Sequence, residues 1–325
     1  WLKARILGPP ANDVRSDPAG IMGALLGCLP DRRGQQRARQ RADVVLKIGG
    51  SACTHKAKFE TLNVESLVAA CAQLAAVVRG GRRVAVIHGA GSFGHQHARE
   101  YGVSKGEAAG GAEARALPER LCEGFAKTRL AVTTLNKHVA ACLIDHGLPA
   151  VTVSPCPFVG VAGKRLLGGK LPALATDGVV GLLERGLVPV VHGDAVLDSE
   201  QGVAILSGDT WMTELCRELA ARSAVFMCDV DGVFTKPPSE AGAELIREIL
   251  VDPKTGELEL AGVSMSTASH DVTGGLRNKL ECASAVLLRA PSVEAVYIVR
   301  AGSAAALEAM HGRPPVDGTT VRRRP

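Results

Sequence analysis

The chain has 325 residues, a formal net charge of +5 at pH 7, 46% hydrophobic and only 3% aromatic residues, and nine cysteines with no C-x-x-C pair. That length suffices for one large α/β domain or two lobes with a sizeable core. An odd cysteine count without metal-type spacing argues against a disulfide scaffold or a structural zinc site and suits a reducing compartment. The mild positive balance, without basic–aromatic interleaving, is no nucleic-acid footprint but suits an anionic small-molecule substrate, and no apolar run approaches a membrane span.

Residues 1–40 carry Pro9, Pro10, Arg32, Arg33, Arg37 and Arg39 with no clear strand or long helix, and the first methionine is Met22. They read as an unassigned segment, either disordered or an over-extended gene start. Their arginines suit a transit peptide, but Asp13, Asp17, Asp31 and a single serine, Ser16, weigh against one. The folded domain is expected over residues 41–325.

That domain opens on a strand over 43–48 that runs into Gly49-Gly50-Ser51. Lys47 stands two residues before the turn, and Lys56 follows on the same loop. A lysine near the end of a buried strand is unfavourable without a partner, so a phosphate held by the glycine backbone is the natural reading. No Walker A pattern occurs. After a helix over 64–79, a strand over 83–88 enters His88-Gly89-Ala90-Gly91-Ser92-Phe93-Gly94-His95. Strand, glycine turn and helix start make an anion cradle, in which backbone N–H groups and the helix N-terminus favour phosphate. His95 at its mouth adds a hydrogen-bond donor. Gly89-x-Gly91-x-x-Gly94 also matches the dinucleotide fingerprint, but the second strand with its acidic end is missing before Pro118.

Further elements follow in alternation: helix 118–146, strand 149–153, helix 174–185 and strand 188–192, the last entering His192-Gly193-Asp194. A polar hairpin is expected near 196–206. Ser207-Gly208-Asp209 then opens a helix over 209–221, with Asp209 at or near its N-cap, where capping alone would account for it. A strand over 224–228 enters Asp229-Val230-Asp231-Gly232, and a second hairpin is expected near 244–261. Asp271-Val272-Thr273-Gly274-Gly275 leads into a helix over 274–288 with Lys279 one turn inside, on the side of Gly275. Strand 295–299 and helix 303–310 complete the set. The remaining histidines read as structural: His88 as a satisfied core residue, His97 as helix surface, and none with metal-ligand spacing. Alternating buried-type strands and helices imply an α/β three-layer sandwich with a mainly parallel central sheet. The glycine turns place the site at the carboxyl ends of the strands.

Taken in order over roughly residues 43–322, these motifs resemble isopentenyl phosphate kinase of the amino acid kinase superfamily. The Gly-Gly-Ser and Gly-Gly-x-x-x-Lys elements are superfamily-wide, and the Ser-Phe-Gly-His ending is the more specific part. One departure is Leu276, where relatives often carry methionine. The resemblance implies an amino acid kinase-like fold, with an acceptor half over about 41–195 and a nucleotide half over about 196–325. It implies transfer of the γ-phosphoryl group of ATP, with Mg2+, to isopentenyl phosphate in isoprenoid precursor synthesis, by a cytoplasmic homodimer. Lys47, His95, Asp209 and Lys279 would be catalytic. Lys47, Gly49, Gly50, Ser51, Gly91, Asp209, Gly275 and Lys279 would hold the nucleotide, and Lys56, Ala90, Gly91, Gly94, His95 and Gly193 the acceptor. No protein metal cage is implied. Phe93 and Phe125 are candidate linings of a prenyl pocket walled by the 118–146 helix. Two other readings stay open: a sister kinase acting on a phosphonate, carboxylate or nucleotide, and a non-catalytic phosphate-binding module.

Overall fold

A computed structural model describes residues 41–55, 57–107, 116–260, 263–264 and 274–325. The expectation for residues 1–40, the candidate Lys56 and the Asp271–Thr273 part of the last glycine motif lie outside these described residues. In chain order the elements are β1 (Val44–Ile48), α1 (Gly50–Cys53), α2 (Val64–Arg79), β2 (Val84–His88), α3 (Gly91–Glu100), α4 (Glu119–Asp145) and β3 (Ala150–Val153). There follow β4 (Val161–Ala162), β5 (Arg165–Leu166), α5 (Ala173–Glu184), β6 (Val188–His192), β7 (Asp194–Asp198), β8 (Gly202–Leu206), α6 (Gly208–Glu218) and β9 (Ser223–Cys228). The last are β10 (Val233–Phe234), β11 (Leu245–Ile246), β12 (Glu248–Val251), β13 (Leu258–Leu260), β14 (Val263–Ser264), α7 (Gly274–Arg289), β15 (Ala295–Arg300), α8 (Ala304–Met310) and β16 (Thr319–Arg323).

The main sheet has ten strands in the order β14-β13-β12-β16-β15-β9-β1-β2-β6-β3. From β15 to β3 every pairing is parallel. Ile48 lies level with both His88 and Met227, and His88 with His192. The loops that follow β1, β2, β6 and β9 therefore leave the sheet at one edge. Alternation along β1 sends Val44, Leu46 and Ile48 into one core and Val45 into the other. On the first face Leu67 and Leu74 of α2, Leu135 and Val139 of α4 and Met310 of α8 cover the sheet. On the second, Val179 of α5, Trp211 and Leu215 of α6 and Leu287 of α7 do so. Helices on both faces of a mainly parallel sheet make the expected three layers. Among the described residues no helix is long and apolar enough to cross a membrane.

Two regions depart from the sequence-based expectation. The hairpin expected near 244–261 is part of the main sheet: β12 pairs parallel with β16 and antiparallel with β13. The helix expected over 209–221 ends at Glu218, because Ala220 turns into the left-handed region at φ 46°.

The hairpin expected near 196–206 is β7–β8, which joins β4 and β5 in a separate four-stranded sheet. Asp198 organises it. Its Oδ1 accepts from the backbone N–H groups of Gly163, Glu200 and Gln201 at 3.1, 2.8 and 3.1 Å, and its Oδ2 from Lys164 at 2.8 Å. Gly163 and Lys164 both have positive φ, 53° and 66°, the geometry of a two-residue hairpin turn. Burial opposes ionisation of Asp198, yet the backbone N–H bonds together hold its carboxyl below the ordinary carboxylate range. A depressed pKa contributes stability that is present above the unfolded value, about 3.9, and is lost as pH falls through the folded one. Asp198→Asn is therefore expected to cost about 2 kcal/mol at pH 7. Thermal melts should show the gap to wild type closing as pH falls below 4; an equal gap at pH 7 and pH 3 would exclude the carboxylate as the cause.

Candidate functional site

Two glycine turns meet backbone to backbone at the carboxyl edge of the sheet. A Cβ at Gly50 would lie 2.7 Å from Cα and N of Gly91, and one at Gly89 would lie 2.7 Å from N of Gly50. No side chain fits there. Gly91 also has φ +52°, with Thr54 directly beside it. Thr54 Oγ1 donates to the Gly50 carbonyl at 2.7 Å and accepts from Ser92 N–H at 2.9 Å, which ties the first turn to the start of α3. Gly49 N–H donates to the Met227 carbonyl at 2.8 Å, and Ser51 Oγ donates to Asp229 Oδ1 at 2.9 Å. The β1, β2 and β9 loops are thus one assembly.

Lys47 leaves β1 on the Val45 side, toward α6. Its stem passes Gly208, where a Cβ would lie 3.3 Å from the Lys47 Cε, and its ammonium sits 5.8 Å from the centre of the Phe226 ring. It pairs with Asp209 Oδ1. The buried-strand lysine therefore has the partner its position demands. The α6 N-cap is Ser207, whose Oγ accepts from Asp209 N–H at 3.1 Å, so Asp209 sits one residue inside the helix and its carboxylate is available to Lys47. Cys282 of α7 lies beneath, its Sγ 3.4 Å from the Asp209 carbonyl. Burial, then the negative charge of Asp209, push that thiol up to about 12, so it packs rather than reacts.

Above this pair opens a cavity of about 590 Å³. Lys47, Gly49, Gly50, Ser51 and Asp209 line it, and so do Ala90, Gly94, His95 and Gly193 from the acceptor set, and Lys279 from α7. Gly91 lies under the floor, packed on Gly50, and Gly275 stands in the first turn of α7. The structure thus brings together candidates that are 232 residues apart at the extremes, Lys47 and Lys279. His95 is open to the cavity. Crowding by surrounding protein, then the positive charges of Arg99 and Lys47, hold its imidazole below the ordinary histidine range. Both effects favour the uncharged, hydrogen-bonding imidazole. An arriving dianion would favour the charged form instead.

Neither aromatic candidate for the apolar wall is among its lining residues. Phe93 is buried in the core between sheet and α4, edge-on to His138. The cause is helical phase: residues two apart do not share a face, so with α3 starting at Gly91 the face that gives His95 to the cavity turns Phe93 away. Phe125 packs against the small cluster of Val103, Leu121 and Val203. The apolar lining comes instead from Ala98, Val132, Ile205, Leu206 and Phe226. Val132 also explains Gly94, where a Cβ would fall 2.5 Å from the Val132 Cγ1.

Sequence reading gave no role to several polar groups of the lining, two of them charged. Arg99 lines the cavity one turn beyond His95, a spacing that could have revealed it. Asp194 lines it too, fully buried and held by Arg129 Nε and Ser154 Oγ, both at 3.1 Å; nothing in the sequence links these positions. The histidines beneath are structural. His88 is buried, with Nδ1 3.0 Å from the Gly89 carbonyl and Nε2 3.0 Å from Asn136 Nδ2, and stacks on His192 at 5.5 Å. Burial, then the neighbouring His192, push it down to about 3. His97, expected on the surface, is half-buried against Phe59 and Glu60.

A parallel sheet whose strand ends carry glycine turns, with lysines converging from both halves of the chain, defines a phosphoryl-transfer architecture. Residues 44–299 match the model of the Amino acid kinase family, and the chain belongs to that family. It is similar to the isopentenyl phosphate kinase of Arabidopsis thaliana, 32% identical over 82% of this chain and 90% of that protein. It is likewise similar to the isopentenyl phosphate kinase of Haloferax volcanii, 36% identical over 73% of this chain and 85% of the relative. A solved isopentenyl phosphate kinase structure superposes with a TM-score of 0.64 and 28% identity, over 86% of this chain and 99% of that one.

Proposed function

We propose that this chain transfers the γ-phosphoryl group of ATP, carried with Mg2+, to isopentenyl phosphate, giving isopentenyl diphosphate and ADP, and that it does so as a cytoplasmic homodimer. The observation that carries the reading is the cavity's division of labour. Glycine turns, Lys47, Lys279 and His95 suit phosphate, and the lining beyond them turns apolar at Ala98, Val132 and Ile205. A phosphate with a short hydrocarbon tail matches both parts, and the curated relatives cited above carry this activity in their names.

The acceptor's second pKa is about 6, so at neutral pH it is mostly a dianion and needs no general base. The obstacle is repulsion between two anions, which positioning and fixed positive charge overcome. Lys47, oriented by Asp209, and Lys279 would straddle the transferring group, and His95 would hold the acceptor. Gly49, Gly50 and Ser51 would give backbone donors to the nucleotide phosphates, with Gly275 leaving room at the start of α7. Ala90, Gly91, Gly94 and Gly193 would shape the acceptor seat. Among the described residues no group of three His, Cys, Asp or Glu side chains could hold a metal ion. Mg2+ would come with the nucleotide phosphates and be held by one or two carboxylates, the candidates being Asp209, which lines the cavity, and Asp229, bonded to Ser51 of the first glycine turn. Bound there, it would supply neutralisation of charge on the transferring group.

A coupled ADP-release assay on the whole chain tests the reading, with isopentenyl phosphate, dimethylallyl phosphate, fosfomycin, glutamate, N-acetylglutamate and UMP as acceptors. A higher kcat/KM for glutamate or UMP than for either prenyl phosphate would assign the chain to a sister activity. Apolar walls discriminate by only about 1–3 kcal/mol per methylene. Dimethylallyl phosphate is thus expected to be used along with isopentenyl phosphate and longer chains poorly. Val132→Ala should raise the relative kcat/KM of a ten-carbon prenyl phosphate; an unchanged chain-length profile would remove Val132 from the tail wall.

A further inference from the structure

We propose that Arg99 is a further acceptor-binding residue, its guanidinium reaching back along α3 to the outer oxygens of the phosphate that His95 holds. The inference rests on the reading of the cavity as an acceptor site for a phosphate monoester. Arg99 follows His95 by four residues on α3, and both side chains line the cavity. Residues four apart share a helix face, and helical side chains lean toward the N-terminus of their helix. Arg99 therefore leans toward the level of His95 and the glycine turn, across about one helical pitch of 5.4 Å.

Its guanidinium is also uncommitted. Arg129, Arg217, Arg289 and Arg300 are each held by a carboxylate. Among the described residues no hydrogen bond or ion pair holds the Arg99 side chain, although it borders a cavity. Its charge is close enough to oppose protonation of His95. A planar fork of donors, exposed beside a site for a dianion, matches phosphate bidentately. His95 would hold the acceptor beside the glycine turn, and Arg99 from one helical turn further along α3.

Arg99→Gln and Arg99→Lys, assayed in the whole chain with isopentenyl phosphate and ATP, test this. Arg99→Gln should raise the KM for isopentenyl phosphate about tenfold while kcat and the KM for ATP stay within about twofold. Arg99→Lys should recover only part of the loss. The salt dependence of the acceptor KM should flatten in Arg99→Gln, a readout that a packing role would not move. An unchanged acceptor KM, or an equal rise in the KM for ATP, overturns the assignment. A wild-type chain inactive on isopentenyl phosphate sinks the acceptor reading instead. Inorganic phosphate titrated against the His95 imidazole resonance then decides Arg99: weaker binding in Arg99→Gln supports its role, and equal binding overturns it.

Discussion

Lys47→Ala and Lys279→Ala should each lower kcat by about 10²–10³, the size of effect seen when one preorganised donor to a developing anion is lost. The double variant should be little worse than the poorer single one, because groups serving one phosphoryl group act as a unit. Each change should affect kcat more than KM, since the charge they stabilise develops mainly in flight. Lys47→Arg should not rescue. The stem runs between Gly208 and Phe226 to reach Asp209, and Gly208 has no room to spare beside Lys47 Cε. A planar fork does not follow that path or replace a point charge. Steady-state kinetics of the four variants decide the matter. Losses that multiply in the double variant, to about 10⁴–10⁶ for single losses of this size, or an active Lys47→Arg, would show that the two lysines do not share a target.

How much of this was legible in the sequence depends on where each residue finds its partners. The central parallel strands declare themselves because both their faces are buried, so Val, Ile and Ala run almost without interruption. β16 reads Thr-Thr-Val-Arg-Arg and does not, because its polar groups are satisfied only by distant chain. Thr319 Oγ1 donates to the Ile246 carbonyl at 2.6 Å and accepts from Val233 N–H at 2.8 Å. Arg323 donates to the carbonyls of Leu287 and Ala290 at the end of α7, and of Val293 just beyond. The same distinction divides the site. Lys47 was readable because an ammonium in an apolar run demands an anion. Ser207-Gly208-Asp209 was weaker, since capping alone explains an acidic first turn, and only the fold shows Ser207 taking the cap and Asp209 turning to Lys47. Asp194 closes the His192-Gly193-Asp194 turn, but Arg129 lies 65 residues away in no motif, so their pairing is tertiary information. Phe93 was misassigned to the apolar wall for want of the phase of α3, and Phe125 because its packing against Val103 and Val203 is set by distant chain.

His95→Ala should remove most turnover while leaving the fold intact, with kcat/KM for isopentenyl phosphate down about 10²–10³. The fold should survive because the side chain opens on the cavity and takes no part in either core. His95→Asn should retain more activity than alanine. The imidazole is held below the ordinary histidine range before the acceptor arrives, so its first contribution is a hydrogen bond, which an amide can also give. The pH profile separates this from a role as a titrating acid. kcat/KM reports ionisations of the free enzyme and free substrate, and with the His95 imidazole held below the ordinary histidine range the acid limb belongs to the acceptor phosphate, near pH 6. That limb should therefore persist at the same pH in His95→Asn, on a lower plateau. A limb that disappears with the imidazole would make His95 the titrating group, and a well-folded His95→Ala enzyme with wild-type kcat/KM would remove it from the acceptor site altogether.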